Sequence, residues 1–123
     1  VKIDIKMSQM DIQDLILKDL DTLLQAKNQY NGLNIQDVTE ICAYVGASVL
    51  RQRYKMTKEI KDSEINHVFG IIGNFCFQSF KENFGQEQFD VMLVRSLDLL
   101  KQPTFDQDCL VFFDRILSLK KST

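Results

Sequence analysis

The chain has 123 residues, 45% of them hydrophobic and 26% charged, and a formal net charge of −2. That length forms one domain and buries a core without a disulfide or metal staple. The apolar fraction excludes general disorder, and the slightly acidic balance excludes a nucleic-acid binder of the usual basic kind.

Residues 1–7 alternate strictly, with Val1, Ile3, Ile5 and Met7 against Lys2, Asp4 and Lys6. Period two predicts a half-buried strand, yet no second stretch of the chain offers it a partner. An extended arm, a strand pairing with a second copy or a partner, and the entrance to the first helix all fit. An all-helical domain is expected over residues 8–121. Its first helix is predicted to start at Ser8, with Asp11 in capping-box position. Ile12, Leu15, Ile16, Leu20, Leu23 and Leu24 recur at helical spacing on its buried face. Asn31 and Gly32 end it, since glycine takes a left-handed cap without strain.

The second helix is predicted from Asn34, with Asp37 three residues on. Val38, Ile41, Cys42, Val45 and Val49 line one face, and Ala43, Gly46, Ala47 and Ser48 make its middle small. Glycine costs about 1 kcal/mol relative to alanine inside a helix. That cost predicts close approach of another backbone, with Gly46 near Gly70 or Gly73 of the third helix. Arg51, Arg53, Lys55 and Lys58 give the second helix a basic carboxyl end, which complements its dipole and also offers a patch to an acidic partner.

Residues 65–84 hold five of the nine phenylalanines and the single histidine. Their middle is apolar on nearly every side, so the helix predicted over 63–84 is expected to be the central one. Phe84 and Gly85 close it. A fourth helix follows over about 86–101, with Phe89, Leu93, Leu97 and Leu100 inward and Met92 beside them. Pro103 breaks the chain. The fifth helix opens near Thr104 and is expected to bury Phe105, Cys109, Phe112, Phe113, Ile116 and Leu117.

Little in this pattern supplies chemistry. Cys42, Cys76 and Cys109 lie far apart and form no CxxC pair, so they read as reduced, buried hydrophobes of a cytoplasmic or nuclear protein. One histidine leaves too few clustered ligands for a zinc site; neither a metal nor a cofactor is expected. His67 reads as a boundary residue. Gly70 and Gly73 lie within a helix, not in a strand-to-helix turn, so they form no phosphate loop. The carboxylate pairs cluster at helix starts, where they complement the dipole. No nucleophile stands with a base and an orienting group, and an enzyme is not expected. No stretch approaches the ~20 apolar residues that span a bilayer.

Residues 68–76, VFGIIGNFC, resemble the third helix of an armadillo repeat: apolar pairs around a small residue followed by asparagine. The fifth helix falls in step with it, Val68 matching Cys109, Phe69 matching Leu110, Ile71 matching Phe112, Ile72 matching Phe113 and Phe75 matching Ile116. Armadillo and HEAT repeats are about 40–47 residues long, so this spacing suits them. The similarity covers residues 63–120. It implies an irregular armadillo- or HEAT-like fold of about five helices; a compact helical bundle fits the same pattern. It also implies a groove in which Asn74 bonds a bound peptide, Arg115 takes the equivalent place one repeat on, and Gln78 and Lys81 lie alongside. Asn74 also reads as a polar residue satisfied within the fold.

The expected function is therefore a protein-interaction module, scaffold or adaptor, that binds a peptide or helix of a partner. The alternative is an assembly domain, in which apolar faces and the 1–7 strand drive homo- or hetero-oligomerisation. A bundle enclosing an apolar ligand beside the phenylalanines is a third reading.

Overall fold

The computed structural model describes residues 2–54 and 61–119 and is all-α, with five helices: α1 (Lys2–Asn31), α2 (Ile35–Tyr54), α3 (Asp62–Ser79), α4 (Gln86–Lys101) and α5 (Phe105–Leu119). The described residues include no strand. α1 begins at Lys2, so residues 2–7 are helical, not the arm or strand that period two suggests, and Ser8 lies inside the helix. A lone strand would leave its amides and carbonyls unpaired, whereas a helix pairs them within the segment. Val1 lies outside the described residues.

The α1–α2 turn follows its local chemistry. Gly32 adopts φ 84°, in the left-handed region, and its N–H donates to the Asn28 carbonyl. The Asp37 N–H donates to Asn34 Oδ1 at 2.8 Å, while the Asn34 N–H reaches Asp37 Oδ2 at 3.4 Å. This reciprocal box satisfies amides that a helix start otherwise leaves free. Lys27 Nζ bridges the two helices, 3.3 Å from Asp37 Oδ2.

The centre of the molecule is α2, not α3. It packs against all four other helices, and every residue over 41–50 is buried. That segment carries no charge, and its small members admit neighbours on every side. α3 is instead a peripheral amphipathic helix: Val68, Phe69, Ile72, Gly73 and Cys76 are buried, while Gly70, Asn74 and Gln78 are exposed. Phenylalanine content misplaces the centre, because Phe77 is 37% exposed.

Side-chain contacts give each neighbour its direction along α2. Antiparallel α3 places Phe69 at Gly46 and Cys76 at Cys42. Parallel α4 places Arg95 at Glu40 and Ser96 at Ala43, with Glu87 and Val91 beside Ile35 and Thr39. Antiparallel α5 places Asp106 at Arg51 and Phe112 at Tyr44. α1 returns antiparallel through the short turn, and it also packs on α3 and α5.

No glycine meets another glycine. A Cβ added at Gly46 would lie 2.5 Å from the Phe69 ring, so this glycine is the recess for a phenylalanine. One at Gly73 would lie 2.8 Å from Phe89, and one at Gly70 would meet nothing within 4 Å. A small residue also brings α4 against α2, where the fully buried Ser96 hydroxyl donates to the Ala43 carbonyl at 2.9 Å. Met92, Ser96 and Leu99 form the buried stripe of α4; Phe89, Leu93, Leu97 and Leu100 are only half-buried. A serine at the centre of the stripe turns the helix away from the face its leucines predict.

α3 ends at Ser79, before the expected end at 84. The Phe80 N–H still donates to the Cys76 carbonyl, and the Phe84 N–H folds back to the Phe80 carbonyl at 2.8 Å. This turn carries Phe84 into the core, at 2% exposure, where its ring meets Phe77 at 5.5 Å between centroids. Burying an aromatic ring contributes about 1.5–3 kcal/mol, more than another turn of peripheral helix would add. In α5, Phe105, Cys109 and Ile116 are buried and Phe112 and Phe113 are half-buried, but Leu117 is exposed.

The two helical glycines with opposite surroundings give a direct test of this packing. Gly70→Ala is expected to stabilise the fold by about 0.5–1 kcal/mol through helix propensity alone. Gly46→Ala is expected to destabilise it, since displacing the Phe69 ring costs about 1–3 kcal/mol against the same propensity gain. Urea unfolding of both variants measures the difference in sign.

Candidate functional site

The carboxyl half of α2 is flanked by two surface grooves. One lies against α1, has a volume of about 470 Å³, and is lined by Ile12, Asp14, Leu15, Lys18, Val49, Gln52 and Arg53. The antiparallel hairpin creates it. Ile12, Leu15 and Lys18 follow one another at helical spacing on α1, and Val49, Gln52 and Arg53 do so on α2. Ile12 and Val49 are buried and form the floor; Leu15 is 43% exposed on the wall. The rim mixes one carboxylate with two cations.

The second groove, about 230 Å³, lies between α2 and α5 and is lined by Ser48, Arg51, Gln52, Phe105, Asp106, Cys109, Leu110 and Phe113. Gln52 borders both grooves. Arg51 Nε sits 3.3 Å from Asp106 Oδ1, and its guanidinium lies over the Phe105 ring, 5.7 Å from the centroid. This part of the basic α2 end is therefore joined to α5; Lys55 and Lys58 lie outside the described residues. Burial pushes the Cys109 thiol up, with the Ser48 hydroxyl opposing the shift. Such a thiol is a poor nucleophile at neutral pH. Leu110, at the groove edge, is 66% exposed.

On the α4 side, Tyr44 stacks on Phe112 with centroids 3.9 Å apart and planes 8° from parallel. Arg95 approaches the same ring at 6.0 Å while holding Glu40 at 3.0 Å. Burial raises the Tyr44 hydroxyl above its ordinary range, with Arg95 opposing the shift. The hydrogen bond to Glu40 raises Arg95. These contacts bind α4 and α5 to α2, and a further depression of about 340 Å³ lies beside Glu40, between Ile35, Gln36 and Thr39 of α2 and Glu87, Gln88 and Val91 of α4.

The residues suggested by the armadillo resemblance are all exposed. Asn74 and Gln78 lie one turn apart on the outside of α3, Lys81 follows in the turn after it, and Arg115 lies on α5. α3 and α5, which carry Asn74, Gln78 and Arg115, both pack on α1 and α2. Among the described residues there is no metal-binding cluster of His, Cys, Asp or Glu, and no described helix is long and apolar enough to cross a membrane. His67 is exposed. Periodicity counts Leu15 as core because it shares a stripe with Ile12 and Ile16. The signal for a groove is the excess width of that stripe, and in α5 the apolar run that places Leu110 and Val111 beside Cys109.

No protein-family model matches the chain, and comparison with curated proteins and with solved structures found no match.

Exposed wall and buried floor differ in their expected effect on stability. Leu15→Gln should change the unfolding free energy by less than about 0.5 kcal/mol, as surface substitutions do. Ile16→Ala, one residue along and fully buried, should cost about 2–5 kcal/mol. Denaturant titration of the pair distinguishes the two positions.

Proposed function

We propose that this chain is a protein-interaction module, an adaptor or scaffold element, that takes an amphipathic helix from a partner into the α1–α2 groove. The observation that carries the reading is Leu15, an exposed leucine on the wall of a groove whose floor is Ile12 and Val49. A helix laid in such a groove reads it through apolar anchors at i, i+3 or i+4, and i+7. Lys18 and Arg53 on the rim favour acidic groups flanking those anchors, and Asp14 sets the orientation by favouring one basic group. Binding rather than catalysis suits this lining, whose polar members are an amide, a carboxylate and two cations, without a nucleophile. The armadillo-like pattern over residues 63–120 supports the same class of function, with Asn74, Gln78, Lys81 and Arg115 as its surface.

A second reading is an assembly domain, in a cytoplasmic or nuclear complex. Val91 and Val94 on α4 and Leu110 on α5 are 55%, 59% and 66% exposed, more apolar surface than those two helices need for packing on α2. A strand over residues 1–7 no longer contributes, because residues 2–7 are helical.

Affinity capture followed by mass spectrometry, with sedimentation of the isolated chain alongside, separates these readings. Leu15→Asp is expected to reduce recovery of the bound partner at least tenfold with the melting temperature unchanged, while the isolated chain remains a monomer. Loss of capture with Asn74→Ala and Arg115→Glu instead would move the site to α3 and α5. A concentration-dependent dimer broken by Leu110→Asp would favour assembly.

A further inference from the structure

The sulfurs of Cys42 on α2 and Cys76 on α3 lie 3.4 Å apart, in hydrogen-bonding contact as free thiols. Both residues have no exposed surface. Their separation of 34 positions hides this contact from the sequence. The packing of the antiparallel pair creates it: the Phe69 ring fills the recess at Gly46, and one turn back on α2 and two turns on along α3 the cysteines face each other. Disulfide formation requires the sulfurs to close from 3.4 Å to about 2.05 Å. The contact is distinct from Cys109, which faces the α2–α5 groove.

We propose that Cys42 and Cys76 form an oxidisable dithiol, a modification site at which a peroxide converts the α2–α3 contact into a covalent cross-link. One thiolate attacks a peroxide oxygen, the O–O bond breaks, and a sulfenic acid forms with release of water. The second thiol attacks that sulfur, an S–S bond forms, the S–O bond breaks, and a second water leaves. Two thiols and one hydrogen peroxide thus give one disulfide and two waters. The neighbouring thiol resolves the sulfenic acid before further oxidation. The hydrogen bond to Cys76 and burial raise the Cys42 thiol well above its ordinary range, and both side chains are fully buried, so oxidation is slow and needs sustained peroxide. Small size suits the oxidant: a sulfenic oxygen adds one atom to the core, whereas a mixed disulfide with a larger thiol would not fit. The cross-link closes a long loop in the unfolded chain and so stabilises the fold. This inference is independent of the partner-binding reading, because neither cysteine lines the α1–α2 groove.

The test exposes the reduced, folded chain to hydrogen peroxide, quenches with alkylating reagent in denaturant, and maps each cysteine by mass spectrometry. The expected result is loss of two hydrogens, a Cys42–Cys76 linked peptide, and a melting temperature raised by roughly 5–15 °C, all reversed by dithiothreitol. Cys109→Ala should behave as the native chain, and Cys42→Ala and Cys76→Ala should each lose both the linkage and the shift. Three outcomes would overturn the proposal: both cysteines still alkylated while the denatured chain oxidises fully, sulfinic acid at either position without a linkage, or a linkage through Cys109.

Discussion

The organising constraint is that residues 41–50 of α2 have no face in water. A helix buried on all sides needs neighbours all around it, and its neighbours approach only as closely as its side chains permit. Ala43, Gly46 and Ala47 keep the α2 cylinder thin, and each surrounding helix meets it with a different contact. α3 inserts the Phe69 ring at Gly46, α4 brings the Ser96 hydroxyl onto the Ala43 carbonyl, and α5 stacks Phe112 on Tyr44. These contacts differ in shape and chemistry, so exchanging one neighbour for another would leave a ring without a recess or a hydroxyl without an acceptor. Close-packed interiors resist such exchanges.

A single hub also determines where the surface is open. The outer helices are held mainly through α2 and α1, and grooves remain between α2 and α1 and between α2 and α5. The α1–α2 hairpin is closed tightly at its turn by Gly32, Asn34, Asp37 and Lys27, and opens beside Leu15 and Arg53 at its far end. The groove proposed to take a partner helix lies at that end, on two helices anchored by the same buried residues that stabilise the domain. The polar face of α3, with Asn74 and Gln78, is exposed as well.

The buried thiols show how one packing choice has two consequences. A glycine on α2 lets α3 settle deeply, and that depth brings Cys76 against Cys42. Two small polarizable side chains fill the interface well as thiols. The same proximity makes each the natural resolving partner of the other under oxidation.

Much of the secondary structure was legible in the sequence. α4 spans the residues its periodicity predicts, Asn34 with Asp37 and Gly32 with its left-handed conformation mark the α1–α2 turn, and Pro103 separates α4 from α5. These features are local: hydrogen bonds within a few residues and a steric rule at glycine or proline decide them. The small middle of α2 also signalled the close approach of α3, which the structure places at Gly46 through Phe69 and Ile72, not through a facing glycine. Only tertiary packing decided that α2 and not the phenylalanine-rich α3 is central, that Gly46 receives Phe69, that α4 turns Ser96 inward, and that Leu15 and Leu110 stay in water. Each of those outcomes depends on residues dozens of positions apart competing for the same buried volume. A one-dimensional pattern records how apolar each helix face is; the three-dimensional fit of rings, glycines and one serine decides which face is covered and by which neighbour.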